Sequence, residues 1–269
     1  MPLDHKRLNG PEESVPYELF LRHKQETVEI KTLDEVTKDS DISREHPKIY
    51  LKTGTVSQAK GSAYIEIGET KIIVTVFDPK EIPNKQDYSL KGEISCEFKY
   101  APFSCTKRRL HQQDNEEKRN SLIMKKALES AVCLHEIPNF QVAIHSLVLQ
   151  NDGSALSGAI IAAGVALAEA GVPMFDIITS MTLEICRSNE IDSLRKMTGQ
   201  IQVAGEKSHY GTIIISKLHA NEQICQVHQT GFIPGDQLKN YITVLSKSCD
   251  SIAAIVKKCL LKEVVNHIK

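Results

Sequence analysis

Between Lys48 and Pro102 apolar residues recur at every second position, which predicts a β-rich start to the folded part of the chain. Ile49-Tyr50-Leu51 leads to Gly54. Ala63, Ile65 and Ile67 then alternate with Tyr64 and Glu66. Gly68-Glu69-Thr70 turns the chain, and Ile72, Val74 and Val76 continue the alternation until Asp78-Pro79. A polar loop runs to Lys91, and Ile94, Cys96 and Phe98 form a further strand. The period then lengthens. Leu122, Met124, Leu128 and Ala131-Val132 predict a helix from about Glu116 to Leu134. A strand over Val142 to Leu149 and a small-residue helix from Ser154 to Ala170 follow, the helix stopped by Gly171-Val172-Pro173.

Ile177 to Cys186, Gly211 to Ser216 and Ile224 to Val227 read as strands. A closing helix begins near Pro234-Gly235-Asp236, with Asp236 as its N-cap. Its stripe of Leu238, Ile242, Leu245, Cys249, Ile252, Val256 and Cys259 suits a core-facing helix better than a coiled-coil seam. The whole predicts strands first, helices on one side, and a β-then-α alternation in each half. Residues 1–46 stand apart: they are polar, hold Pro11 and Pro16, and mix acids with bases from Glu26 to Glu45. They read as an extended arm along a neighbour or as a loose tail. The rest, 47–269, reads as one domain with approximate halves 47–172 and 173–269.

Composition narrows the partners. A chain of 269 residues, 41% of them hydrophobic, can bury a sizeable core. Its formal net charge of −1 gives no global field toward nucleic acid or membrane, so polyanion contact needs a local basic patch. The seven cysteines, odd in number and without paired spacing, predict reduced core thiols rather than a disulfide framework or zinc site. Ten scattered histidines show no ligand spacing, so no metal or cofactor is expected. With no run of 18 apolar residues and a charged start, a soluble intracellular chain is the expectation.

The richest stretch for chemistry is Gln150-Asn151-Asp152-Gly153-Ser154-Ala155-Leu156-Ser157-Gly158-Ala159, a glycine-bearing junction between a strand and a helix. Backbone N–H groups in such a place can hold a phosphate. The side chains that would complete the site are missing, because Ala155 and Leu156 bring neither hydroxyl nor guanidinium. Asp152 and Gly153 read as setters of turn geometry. The basic set Lys107, Arg108, Arg109, Lys118 and Arg119 is either a polyanion contact or a solvated loop, with Asp114, Glu116 and Glu117 interleaved. Lys125 and Lys126 either face a cleft or lie on an exposed helix. His145, on an apolar strand, reads as a satisfied core histidine, and His209-Tyr210 as an ordinary strand-edge pair.

The segment Lys60 to Lys71, the Gly92–Pro102 strand and the Leu149–Ala159 junction together resemble the RNase PH family of phosphate-dependent 3′→5′ exoribonucleases and their inactive relatives. The likeness spans roughly residues 46–262. The opening Met1 to Arg7, the stretch Gly10 to Ser14, Ser57 to Tyr64, and Ala101-Pro102-Phe103 are similar to the RNase PH-like ring subunits of the eukaryotic RNA exosome. The fold this implies is α+β, of the ribosomal protein S5 domain 2-like kind, with two βαβα-type halves and mixed sheets packed against helices.

Departures from the family shape the expected function. Active members carry a junction like Asp-Gly-Gly-Thr-Arg, whose Thr and Arg hold the attacking phosphate; the matching places here are Ala155 and Leu156. Leu cannot replace the planar fork of Arg. The segment matching an acidic catalytic position, Lys207 to Thr212, holds no acid, and a helical Arg of active members is Lys126. Losing phosphate positioning and charge stabilisation together argues against turnover.

The resemblance therefore implies a non-catalytic subunit of a hetero-hexameric ring of RNase PH-like exosome subunits, capped by S1/KH-type subunits, in nucleus, nucleolus and cytoplasm. Uncovered sheet edges also call for a partner of the same fold. Single-stranded RNA would contact Lys107, Arg108, Arg109, Lys118, Arg119 and Lys126, beside a degenerate phosphate site at Ser154, Ala155 and Leu156. The alternatives are a phosphate-dependent exoribonuclease and a stand-alone RNA-binding module.

Overall fold

A computed structural model describes residues 47–82, 88–105, 108–187, 201–205, 210–233 and 235–268. The arm of residues 1–46 and the segment Lys207 to His209 lie outside the described residues, as does Lys107.

The first sheet is built as the alternation requires. Strands β1 (Ile49–Thr53), β2 (Gly61–Ile67) and β3 (Thr70–Val76) form an antiparallel meander, and β3 pairs with the long β6 (Phe140–Gln150). The two-residue β4 (Lys80–Glu81) pairs antiparallel with the start of β6. Strand β5 (Glu93–Tyr100) lies parallel to β6 and makes the sheet mixed. One face of this sheet is dry: Ala63, Ile65, Ile72, Val74, Ile94 and Phe98 are fully buried. Each of the larger side chains, Ala63 apart, contributes about 1.5–3 kcal/mol by its burial.

Helices α1 (Asn115–Glu129) and α2 (Ala155–Glu169) cover that face. Helix α2 is buried on all sides over Ala155–Leu167 because a second sheet packs on its far side. Small residues let the layers approach. A Cβ on Gly158 would meet Ile72 at 2.8 Å, and one on Gly164 would meet Ile178 at 2.7 Å.

The second sheet has the order β10 (Gln223–Phe232), β9 (Tyr210–Leu218), β7 (Ile178–Arg187), β8 (Ile201–Gly205), with β7 and β8 parallel. Its neighbours α2 and α3 (Gly235–Ile268) take opposite faces. On one face Ile178 packs on α2, and Thr182 donates from its hydroxyl to Ser157 of α2 at 3.0 Å. On the other, Lys217 of β9 donates to both oxygens of Asp250 on α3, at 2.8 and 3.0 Å. The layers are thus sheet, helix pair, sheet, helix. The expectation of helices on one side is overturned, since a strand such as β7, buried on both faces, needs cover on both.

Boundaries moved where local chemistry outweighed the apolar stripe. Helix α1 stops at Glu129, well short of Leu134, and a 3-10 turn follows over Leu134–Glu136. It begins at Asn115 because Glu117, the third helical residue, folds back to accept the N–H of Asp114 at 3.0 Å. Helix α3 starts at Gly235, which puts Asp236 in its first turn rather than at its N-cap. His145 is not a core residue. It stands on the open face of β6, half-exposed, with its Nδ1 2.9 Å from the Glu97 carboxylate. Strand alternation explains this, since the buried neighbours Ile144 and Ser146 face the other way.

Candidate nucleic-acid interface

The strand-to-helix junction, the 101–110 loop and the first turns of α1 come together at one end of the molecule. Asn151 donates its N–H to the Ser104 carbonyl at 2.8 Å, which ties the junction to the loop. Glu117, 3% exposed, accepts the Tyr100 N–H at 2.8 Å and so pins the start of α1 to the end of β5. The Ser121 hydroxyl repeats the device by accepting the Phe98 N–H at 2.9 Å.

The junction itself is closed by its own hydrogen bonds. Gly153 turns at φ +86° and Ser154, the N-cap of α2, sits in the left-handed region at φ 47°. The N–H of Asp152 is donated to Thr70 Oγ1 at 3.0 Å, and that hydroxyl donates to the Gly153 carbonyl at 2.7 Å. The N–H of Gly153 goes to Asn151 Oδ1 at 3.3 Å. Two amides that could extend an anion cradle are therefore used internally. Ala155 and Leu156 do not face a cleft: they are 5% and 6% exposed and belong to the hydrophobic core. An anion at α2's N-terminus would find a favourable dipole but apolar side chains where a fork of donors would be needed. The Ser154 hydroxyl is buried and without a hydrogen-bond partner among the described residues, so it does not cap its helix.

Of the basic residues singled out from sequence, Arg109 is given another task. Its guanidinium lies 4.0 Å from the centre of the Tyr100 ring. It donates through Nε to Cys105 Sγ at 3.3 Å and through one terminal nitrogen to Glu116 at 3.0 Å, with Asp114 at 3.9 Å. Although burial works to lower its pKa, Cys105 and Glu116 hold the group charged. A fork so committed buttresses the loop against α1.

Arg108, Lys118, Arg119 and Lys126 are all exposed, and none forms an ion pair among the described residues. Lys125 is half-buried and pairs with Glu129 at 3.7 Å, one turn on. Helical spacing puts Lys118, Arg119, Leu122 and Lys126 on one outward arc of α1. Leu122, 61% exposed, sits among the cations. This arc reaches the second sheet: His228 of β10 is held below the usual histidine range by burial and by the charge of Arg119. Sequence reasoning did not find the partners His228, Thr70 and Thr182, because contacts across 25 to 109 positions leave no local pattern. The Asp114-x-x-Glu117 spacing was the one readable signal.

Residues 45–173 match RNase_PH, the 3′ exoribonuclease family, domain 1. The exosome complex component MTR3 of Homo sapiens is 36% identical over 197 residues, which covers 69% of each chain. This chain belongs to the RNase PH family. Another family member, the exosome complex component RRP41-like of Arabidopsis thaliana, is 30% identical over 235 residues, 84% of this chain and 88% of that one. The RNase PH-like fold is also that of a chain in the Archaeoglobus fulgidus exosome solved with RNA bound to the active site. The TM-score is 0.63 at 17% identity, covering 87% of this chain and 98% of that one. The α+β expectation, with mixed sheets layered against helices, agrees with these folds.

Proposed function

We propose that this RNase PH family chain is a non-catalytic structural subunit of an RNA exosome ring. It supports 3′-to-5′ RNA decay by holding neighbouring subunits of the same fold and by guiding single-stranded RNA. The relatives named as exosome components support the ring. The observation that carries the non-catalytic part is the burial of Ala155 and Leu156 in the core at the N-terminus of α2. Phosphorolysis needs phosphate held in line with the scissile bond and charge stabilised as it develops. An apolar helix start over an internally bonded turn offers neither.

RNA contact is assigned to Arg108, Lys118, Arg119 and Lys126. They can neutralise successive phosphates without reading bases. Cap subunits of the S1/KH type on one face of the ring, and a nuclear, nucleolar and cytoplasmic setting, belong to the same proposal. Affinity purification of the tagged chain from its own cells, with mass spectrometry and an RNA-decay assay, tests it. Five other RNase PH-like chains should co-purify, and decay should not respond to removal of phosphate. A homo-oligomer that degrades RNA only when phosphate is present would overturn the reading.

A further inference from the structure

The first sheet has a second face, opposite the one that α1 and α2 cover, and alternate side chains of its strands point there. A sheet face turned to water ordinarily carries polar residues. This one is apolar at its centre. One register row crosses five strands, from Lys52 on β1 through Tyr64, Ile73 and Leu147 to Lys99 on β5. It ends in a cation on each side and spans about 19 Å at ordinary strand spacing. The face is open: Tyr50 is 53% exposed and Leu147 39%.

The rings on this face are held in place. The Tyr64 hydroxyl donates to Glu66, and Tyr50 meets Tyr64 edge-on, with ring centres 6.5 Å apart at 67°. Phe77 meets His145 likewise, at 5.4 Å and 76°. The same contacts commit the acids of these rows, since Glu66 accepts from Tyr64 and Glu97 lies 2.9 Å from His145 Nδ1. Lys48, Lys52, Lys71 and Lys99 form no ion pair among the described residues. A chain of net charge −1 thus holds a local positive field around an aromatic and aliphatic floor. An acidic peptide meets the lysines alone. A polyanion with flat apolar faces, single-stranded RNA, meets both: its phosphates pair with the lysines and its bases stack on the rings. Sheet faces carrying such rings stack about two or three bases, and the row has room for that number.

We propose that the open face of the first sheet is a second site for single-stranded RNA, with Tyr50 and Tyr64 stacking bases and Lys52, Lys71 and Lys99 holding phosphates. It lies across the sheet from α1, so it goes beyond the basic arc and stands whether or not that arc binds RNA.

A single-stranded oligouridine carrying 4-thiouridine, photocrosslinked to the purified full chain and mapped by mass spectrometry, reads the site. Crosslinks in the segments of Tyr50 and Tyr64 are expected. Tyr50→Ala, at an exposed position, should weaken binding about tenfold with little change in salt slope, as loss of one stacked base requires. Tyr50→Phe, which keeps the ring, should restore it. Lys52→Gln and Lys99→Gln should each lower the salt slope by about 0.7. An abasic strand of equal length should bind about tenfold more weakly than oligouridine. Equal binding would reduce the face to a polyanion patch and overturn the proposal. Crosslinks confined to α1, with Tyr50→Ala silent, would overturn it and leave the arc standing. Crosslinks at Tyr50 with none on α1 would sink the arc and leave this site standing. A protein seated on the face would show as crosslinks from Lys52 and Lys99 to another subunit in the affinity-purified complex, with Tyr50 and Tyr64 unmarked by oligouridine, and that result also overturns the proposal.

Discussion

Ser154 occupies a backbone position that suits glycine, at φ 47° with its hydroxyl buried and unpartnered among the described residues. The left-handed conformation costs an L-residue about 1–2 kcal/mol, and an unsatisfied hydroxyl adds to it. Ser154→Gly should therefore stabilise the chain by about 1 kcal/mol after glycine's entropic penalty, as read from chemical denaturation. A loss of stability would show that the hydroxyl has a partner. Two residues on, Leu156 makes the opposite case. Leu156→Arg, a change that would introduce a fork of donors, should cost about 3 kcal/mol or more, because the side chain at this position lies in the core. Bound phosphate that rescues its melting temperature would contradict that placement. The family resemblance led us to expect Ala155 and Leu156 at the places of a phosphate-holding Thr and Arg, but pattern alone did not reveal that both are core residues. A stripe of small residues on a helix buried all round has no polar face to mark the difference.

At the scale of elements, the second sheet is held to α3 by a buried cation. Lys217 is 3% exposed and its counter-ion Asp250 accepts from it twice, with His219 Nδ1 3.1 Å away. Partial burial works to raise the Asp250 pKa, but Lys217 and His219 together hold it below the usual carboxylate range. The stability this gives is present above the unfolded carboxylate pKa of about 4 and is lost as pH falls through the lower folded value. Asp250→Asn should cost about 2 kcal/mol at neutral pH, discounted because Asp250 is partly exposed, and should flatten the acid limb of the stability profile. An unchanged acid limb would place the titration elsewhere. The start of β2 is equally constrained: a Cβ on Gly61 would collide with the Ala166 carbonyl of α2. Backbone must move, so Gly61→Ala should lower stability by about 1–3 kcal/mol in thermal melts.

Element types were legible in periodicity because each of these strands and helices presents a face to the core. Strands β4 and β8 were not legible. One is two residues long, and the other pairs in parallel with β7 across an intervening segment. Nor could pattern alone reveal that β7 is covered twice. Its polar Thr179, Ser180 and Thr182 look solvent-facing in sequence, yet all are 3% exposed or less and hydrogen-bonded within the core.

For the molecule as a whole, the separation of Arg109 from the other cations gives a sharp expectation for RNA binding. Changing Lys118, Arg119 or Lys126 to Gln should weaken binding of single-stranded RNA without regard to sequence. Each change should reduce the salt slope by about 0.7, the value for one phosphate contact on a single strand. Arg109→Ala should leave that slope unchanged and instead lower stability, since its ring and ion-pair contacts brace the loop. Composition had shown that any polyanion contact must be local in a chain of net charge −1. It could not show which cations are free, because that depends on Glu116 and Tyr100 taking one of them.

The central claim is an RNase PH domain whose phosphate site is closed. The most direct measurement is release of nucleoside diphosphates from single-stranded RNA by the purified chain in the presence of inorganic phosphate. No release above a phosphate-free control is the predicted result. Nucleoside diphosphates that accumulate with phosphate, and cease when it is withdrawn, would contradict the account and put a working phosphate site somewhere other than the N-terminus of α2.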